Sequence, residues 1–206
     1  LDQCASILGQ DIATDTALLE SRYITGNRDL WHRLQSACIA PYFKKRKKAY
    51  IAEICRALRD GLFSSENTLY RVEPDLKNGI CTLRDCQRLL WAERVRRGLT
   101  HYSDFQDLPR FPSTLTRRFE TNYAFLTGLR IELHLLCNRR MDIMEIDIQP
   151  IIAVRYGYGP RGAGYLMELF FKTVREIRLY ILSFLEKDLS GKNVWSGMRK
   201  RITANP

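Results

Sequence analysis

The chain has no uninterrupted apolar run approaching the roughly 20 residues that a membrane-spanning helix requires, which excludes a helical membrane anchor within it. Its six cysteines include no C-x-x-C pair, and no Cys/His spacing fits a structural zinc site, so zinc ribbons and fingers are excluded. Buried free thiols in a reducing compartment fit these cysteines better than a disulfide framework. There are only three histidines, His32, His101 and His134, and none stands near a nucleophile-elbow motif, which removes a Ser/His/Asp hydrolase from consideration. Period-2 alternation is missing except over Met144–Ile148, and no repeat of solenoid period occurs. Leu1–Gln10 lacks a basic start followed by an apolar stretch, so it does not read as a signal peptide. With Leu1 in first place, the chain reads as a fragment of a longer protein or as a processed one.

What is present is a basic, strongly helical sequence. The chain has 206 residues, 45% of them apolar and 27% charged, a composition that folds as one domain or two small ones. Lys and Arg number 33 against 23 Asp and Glu, a net charge of +10. Such a surface suits nucleotides, nucleic acid, acidic proteins or anionic lipid without choosing among them, and it also serves plain solubility.

Periodicity predicts a helix capped by Thr14 or Asp15 that runs through Leu18, Leu19 and Tyr23 to about Gly26. A second starts after Asn27 and is broken or kinked at Pro41. A third covers about Phe43 to Leu62, with Tyr50, Ile51, Ile54, Cys55 and Leu58 on one stripe. Further helices follow from Thr82 to Gly98, from Ser113 past Leu136, from Gln149 to Tyr156 and from Tyr165 to Leu189. The fold class is all-α: an antiparallel helical bundle of five to seven helices. Residues 1–189 form that domain, and residues 190–206 read as a basic linker or frayed tail.

The segment Glu73-Pro74-Asp75-Leu76-Lys77-Asn78-Gly79-Ile80-Cys81-Thr82-Leu83-Arg84-Asp85-Cys86-Gln87 stands out. The residue before a proline is biased toward extended backbone. A lysine beside a glycine follows, then a helix start with Thr82 and Asp85 as a capping box. A cation next to a turn and a helix N-terminus suits phosphate, although Arg84 and Asp85 also read as ordinary salt-bridge formers. Arg84, Gln87 and Trp91 share a helix face. A second constellation, Arg130 and His134 at i and i+4 with Arg139, Asp142, Asp147 and Gln149 beyond, reads as a polar seam toward a ligand or a neighbouring domain.

Three other features are weaker. Glu145-Ile146-Asp147 resembles a metal-binding acid pair for nucleotidyl transfer, but the Gly-Ser loop and sheet that such a pair needs are missing. Lys44-Lys45-Arg46-Lys47-Lys48 is a nucleic-acid or localisation motif in form and a solvated helix face in context. The glycine-rich 157–162 stretch follows no strand and reads as a turn.

Together these residues carry a resemblance. Lys77-x-Gly79-x-x-x-Leu83-Arg84-Asp85-x-Gln87, followed by Trp91, resembles the Lys-x-Gly-x-Gly-Gly-Leu-Arg-Asp-x-Gln segment of the bacterial uridylyltransferase family that modifies the PII signal protein. Leu133-His134-Leu135-Leu136, Asn138-Arg139, Asp142 and Ile146-Asp147-Ile148-Gln149 are similar to the same family's later blocks. Asp11-Ile12 and Thr16-Ala17-Leu18-Leu19-Glu20-Ser21-Arg22 with Gly26 are similar to its earlier one.

The resemblance implies a cytoplasmic all-α domain that packs against an upstream catalytic domain absent from this chain. It implies no catalytic or metal-binding residue here, and a PII-type target protein. In the intact enzyme it implies Mg²⁺ with UTP or ATP, none of them bound by this piece alone. Lys77, Arg84 and Arg139 would meet phosphate. Asp85, Gln87, Arg130, His134, Asp142, Asp147 and Gln149 would line the cleft or the interdomain surface. Two departures matter: the motif's paired glycines are Cys81 and Thr82, and Asn138 replaces the glycine before Arg139. The departures open a second reading, a non-enzymatic helical interaction module. The equivalent domain of a glutamine synthetase adenylyltransferase is a further alternative. Nucleic-acid binding rests on the net charge and the 44–48 run and ranks last.

Overall fold

The computed structural model describes residues 2–63, 69–98 and 113–189. These residues form an all-α fold of eight α-helices and one π-helical segment: α1 (Asp2–Ile7), α2 (Ile12–Leu19), α3 (Arg28–Arg33), the π-helical Leu34–Ile39, α4 (Ala40–Phe63), α5 (Leu83–Arg97), α6 (Ser113–Cys137), α7 (Gln149–Arg155) and α8 (Ala163–Leu189). Residues Arg28 to Phe63 are helical without a break, so the separate rods number seven, at the top of the expected range. No strand occurs among the described residues, and the alternating stretch near Met144 reduces to one antiparallel bridge between Asp75 and Ile143.

The chain divides into two compact units, one drawn from 1–57 and 87–104 and the other from 58–86 and 105–206. In the first unit α2 differs from expectation. Asp11, not Thr14 or Asp15, is the N-cap, accepting the Thr14 N–H at 2.7 Å, and the helix ends at Leu19, well before Gly26. Asp15 is instead buried, where it accepts the Gly9 N–H at 2.8 Å and the Tyr42 hydroxyl at 2.6 Å.

Asn27 caps α3 through the Leu30 N–H at 3.0 Å. Pro41 does not end the helix that follows. The turn before it is π-helical, with the Ala40 N–H reaching the Gln35 carbonyl five residues back. A proline ring in an α-helix collides with the carbonyl four residues earlier, and a widened turn moves that carbonyl away. The expected stripe on α4 is buried: Tyr50, Ile51, Ile54, Cys55 and Leu58.

In the second unit α6, α7 and α8 pack on one another. Phe119, Leu126, Leu129 and Leu133 of α6 are buried, as are Leu166, Phe170, Val174, Ile177, Ile181 and Phe184 of α8, spacings of three and four that keep one face inward. The segment 190–206 lies outside the described residues.

Candidate phosphate-binding site

The site is built from the loop before α5 and the segment after α6. Two backbone hydrogen bonds join them: Leu76 N–H to the Asp142 carbonyl at 2.7 Å, and Met144 N–H to the Pro74 carbonyl at 2.9 Å. Asp75 organises the turn, its Oδ1 accepting the Lys77 and Asn78 N–H groups at 2.8 and 2.7 Å, the local side-chain bonding that favours Asp in turns. Gly79 then passes so close to its neighbour that a Cβ there would sit 2.5 Å from the Asp75 carbonyl oxygen, so only glycine fits. Leu83 and Arg84 donate their N–H groups to the Leu76 and Lys77 carbonyls at 3.2 and 2.8 Å, closing the loop onto the first turn of α5.

Of the three positions where the resemblance has glycine, Cys81, Thr82 and Asn138, two take the left-handed backbone that favours glycine. Cys81 has φ of 57° and Asn138 φ of 47°, the two non-glycine residues with positive φ among those described. For most side chains the left-handed region costs about 1–2 kcal/mol. Asn bears it best, and position 138 directly follows α6, where helices commonly end in this conformation. Cys81 is fully buried and its N–H donates to Asp85 Oδ2 at 2.8 Å. Thr82 is also buried and donates its hydroxyl to the Gly79 carbonyl at 2.7 Å. The carboxylate of the expected capping box therefore reaches one residue further back than Thr82, and Asp85 braces the loop from inside.

Two arginines and a histidine gather at one carboxylate. Arg130 Nε donates to Asp142 Oδ1 at 2.6 Å, His134 Nε2 lies 3.5 Å from the same oxygen, and Arg140 Nε lies 3.8 Å from Oδ2. Burial raises the Asp142 pKa, but the Arg130 hydrogen bond and charge, the His134 contact and the Lys77 charge outweigh it and hold the carboxyl below its ordinary value. Lys77 reports the opposite imbalance. Burial and then the Arg140 charge lower its pKa; Asp142 opposes this, and Arg84 and Arg130 add to the lowering. Arg130 and Arg140 stand at the Asp142 carboxylate with Lys77 nearby, a basic setting that suits a bound anion.

The structure thus brings together Lys77, Arg84, Arg130, His134 and Asp142. It adds Arg140, which sequence reasoning passed over although it stands two residues before Asp142. Arg139 is exposed, and no ion pair or hydrogen bond links it to Asp142 among the described residues. Asp147 is exposed. Gln149 is buried and holds the loop by donating to the Val72 and Met144 carbonyls at 2.7 and 3.1 Å. Gln87 belongs to the first unit, and its Oε1 is buried without a hydrogen-bond partner among the described residues. Trp91 turns inward: it is buried and its Nε1 donates to Glu20 Oε1 at 2.7 Å. Among the described residues no group of three or more His, Cys, Asp or Glu could hold a metal ion, and no helix is long and apolar enough to cross a membrane.

The sequence that builds this loop matches a known family of enzymes. The chain belongs to the GlnD PII-uridylyltransferase family, whose model matches residues 56–185. It is 32% identical over 179 residues to the bifunctional uridylyltransferase/uridylyl-removing enzyme of Rhodospirillum rubrum, covering 84% of this chain and 18% of that protein. The enzyme of the same description from Burkholderia thailandensis is 27% identical over 200 residues, covering 92% of this chain and 22% of its own length. That from Caulobacter vibrioides is 27% identical over 172 residues, covering 84% and 18%. The chain spans about a fifth of the length of the curated relatives it matches. No solved structure matches it.

Proposed function

We propose that this chain is the helical cleft domain of a protein uridylyltransferase, and that Lys77, Arg84, Arg130 and Arg140 form the wall that meets the nucleotide's phosphates. The observation that carries this is the convergence of Arg130 and Arg140 on Asp142, with Lys77 close by, next to the loop that opens α5. In the intact enzyme the reaction would move UMP from UTP to a hydroxyl of a PII-type protein. The residues of the cluster suit the triphosphate. They do not suit its Mg²⁺, and no step through the metal is assigned to them. Their part is to neutralise and orient: planar guanidinium groups clamp phosphate oxygens, and Lys77 supplies a point charge. Residues 1–189 act as one functional piece on this reading, together with a catalytic domain contributed by the rest of a longer protein.

Burial of Cys81 and Thr82 favours this reading over a bare interaction module. The two side chains that replace glycines pack inward, so the loop gains no bulk on the side open to a ligand.

The test is UTP binding by the full-length protein, read by calorimetry. Arg84→Ala and Arg140→Ala should each weaken binding about tenfold or more, as loss of a charge-assisted hydrogen bond does. Arg139→Ala should change it less than about twofold. Equal affinity for Arg84→Ala, Arg140→Ala and the wild type would remove the phosphate role.

A further inference from the structure

His134 is the member of the Asp142 cluster that the phosphate reading leaves without a task, and its side-chain type titrates near neutrality. Its Nε2 lies 3.5 Å from Asp142 Oδ1, the same oxygen that Arg130 Nε holds at 2.6 Å. Arg130 and His134 stand at i and i+4 on α6, so both reach that oxygen from one helix face. All three side chains are mostly withdrawn from solvent, with exposures of 28% for Arg130, 31% for His134 and 16% for Asp142. One acceptor oxygen thus serves two donors at unequal distances.

The charged groups around His134 come from several segments. Arg130 stands one turn back on α6, and Asp142 and Arg140 follow that helix. Lys77, on the loop before α5, is near enough to Asp142 to lower its pKa, and Lys77 in turn feels Arg84 at the start of α5. On α7, Arg155 is occupied by Glu132 of α6 at 2.8 Å. Among the described residues, none that α8 buries is charged.

A contact of 3.5 Å is at the outer limit of hydrogen bonding and contributes little while the imidazole is neutral. Protonation makes it charge-assisted, and such bonds are shorter and roughly twice as strong as neutral ones. We infer that His134 is a positioning residue of the phosphate wall: its imidazolium draws Asp142 toward itself and frees the Arg130 guanidinium to clamp an anion. With the imidazole neutral, Asp142 keeps Arg130. This role rests on the phosphate-binding role proposed above for the cluster. The sign follows from linkage. Imidazolium and bound anion favour each other, so affinity rises as pH falls through the histidine range, and binding takes up protons.

The test is calorimetric titration of the full 206-residue chain with inorganic sulfate, a dianion that does not itself titrate between pH 8 and pH 6, at fixed ionic strength. Sulfate should bind about fivefold tighter at pH 6 than at pH 8. Buffers of different ionisation enthalpy should report proton uptake on binding near pH 6.5. His134→Gln, uncharged throughout, should bind with affinities within about twofold at the two pH values and take up no proton. His32→Gln, at an exposed histidine of α3, should keep the wild-type pH dependence. Asp142→Asn should lose most of it, because the shared carboxylate is gone. Should His134→Gln not fold, the proton NMR signal of its imidazole, found by elimination with His32→Gln and His101→Gln, decides instead: sulfate should shift that signal and spare the other two. Sulfate binding that is independent of pH, or a pH dependence that survives His134→Gln or Asp142→Asn in full, would overturn the role of His134 alone. Absence of saturable binding at either pH would overturn the phosphate wall with it.

Discussion

Two basic features of this chain behave in opposite ways. The run Lys44-Lys45-Arg46-Lys47-Lys48 has five cations in five residues, and helix geometry spreads them. Lys44, Lys45, Lys47 and Lys48 are all exposed, the first and third of them bordering a cavity, and Arg46 bonds Tyr42 at 2.7 Å and Glu53 at 3.1 Å. The cluster around Asp142 draws Lys77, Arg84, Arg130 and Arg140 from widely separated positions and concentrates them. Density of charge along a sequence is therefore a poor guide to density in space. A helix rotates each successive side chain by about 100°, whereas a loop pinned at both ends can aim distant side chains at one point.

The comparison breaks most readily at the pin. Gly79→Ala would place a methyl group 2.5 Å from the Asp75 carbonyl oxygen, and the loop would have to move. The expected loss of stability is about 3 kcal/mol, read as a lowered urea midpoint. A midpoint within error of wild type would mean that the loop is not held as described.

The next effect is at the anion itself. Asp142→Asn removes the carboxylate from among its cations and should cost about 1–2 kcal/mol at pH 7. Because the folded carboxyl titrates below the ordinary unfolded value near 3.9, its contribution is full above that unfolded value. It is lost as pH falls through the folded pKa. The gap between wild type and Asp142→Asn should therefore be widest near neutrality and close in acid. A gap that is constant down to acid unfolding would assign the loss to packing instead.

The smallest effects sharpen the other half of the comparison. Arg46→Ala should cost about 0.5–1 kcal/mol, since it loses its partners at Tyr42 and Glu53. Lys48→Ala, on the same run and exposed, should stay within about 0.5 kcal/mol. Equal losses would mean that the run acts as a block of charge.

Much of the fold was legible because helices announce themselves locally. The stripe Tyr50, Ile51, Ile54, Cys55 and Leu58 is buried as its spacing requires, and α5, α7 and α8 begin and end within a few residues of expectation. α1 went unpredicted: six residues carry too little periodicity to read. α2 was misplaced because Asp11, Thr14 and Asp15 are all good caps, and only the burial of Asp15 decides among them. Pro41 read as a break because the compensating π turn before it has no signature in residue type.

The site was legible in part and for a different reason. The motif from Lys77 to Gln87 named the loop, and Gly79 is explained by contact. Trp91 shared a helix face with Arg84 on paper, yet it belongs to the interior with Glu20. Arg139 and Arg140 are adjacent and chemically identical, so composition could not say which would stand beside Asp142.

By itself, then, the sequence determined the all-α class, most helix limits and the family, because helical propensity, periodicity and motif order are written in near neighbours. Tertiary structure alone decided which cations converge, that Cys81 and Asn138 take the left-handed backbone that favours glycine, and that two of the five cations in a basic run border an apolar hollow. Those outcomes depend on contacts such as that of Leu76 with Asp142. Closing the chain over so many residues leaves no local trace, because its cost grows only with the logarithm of the length enclosed.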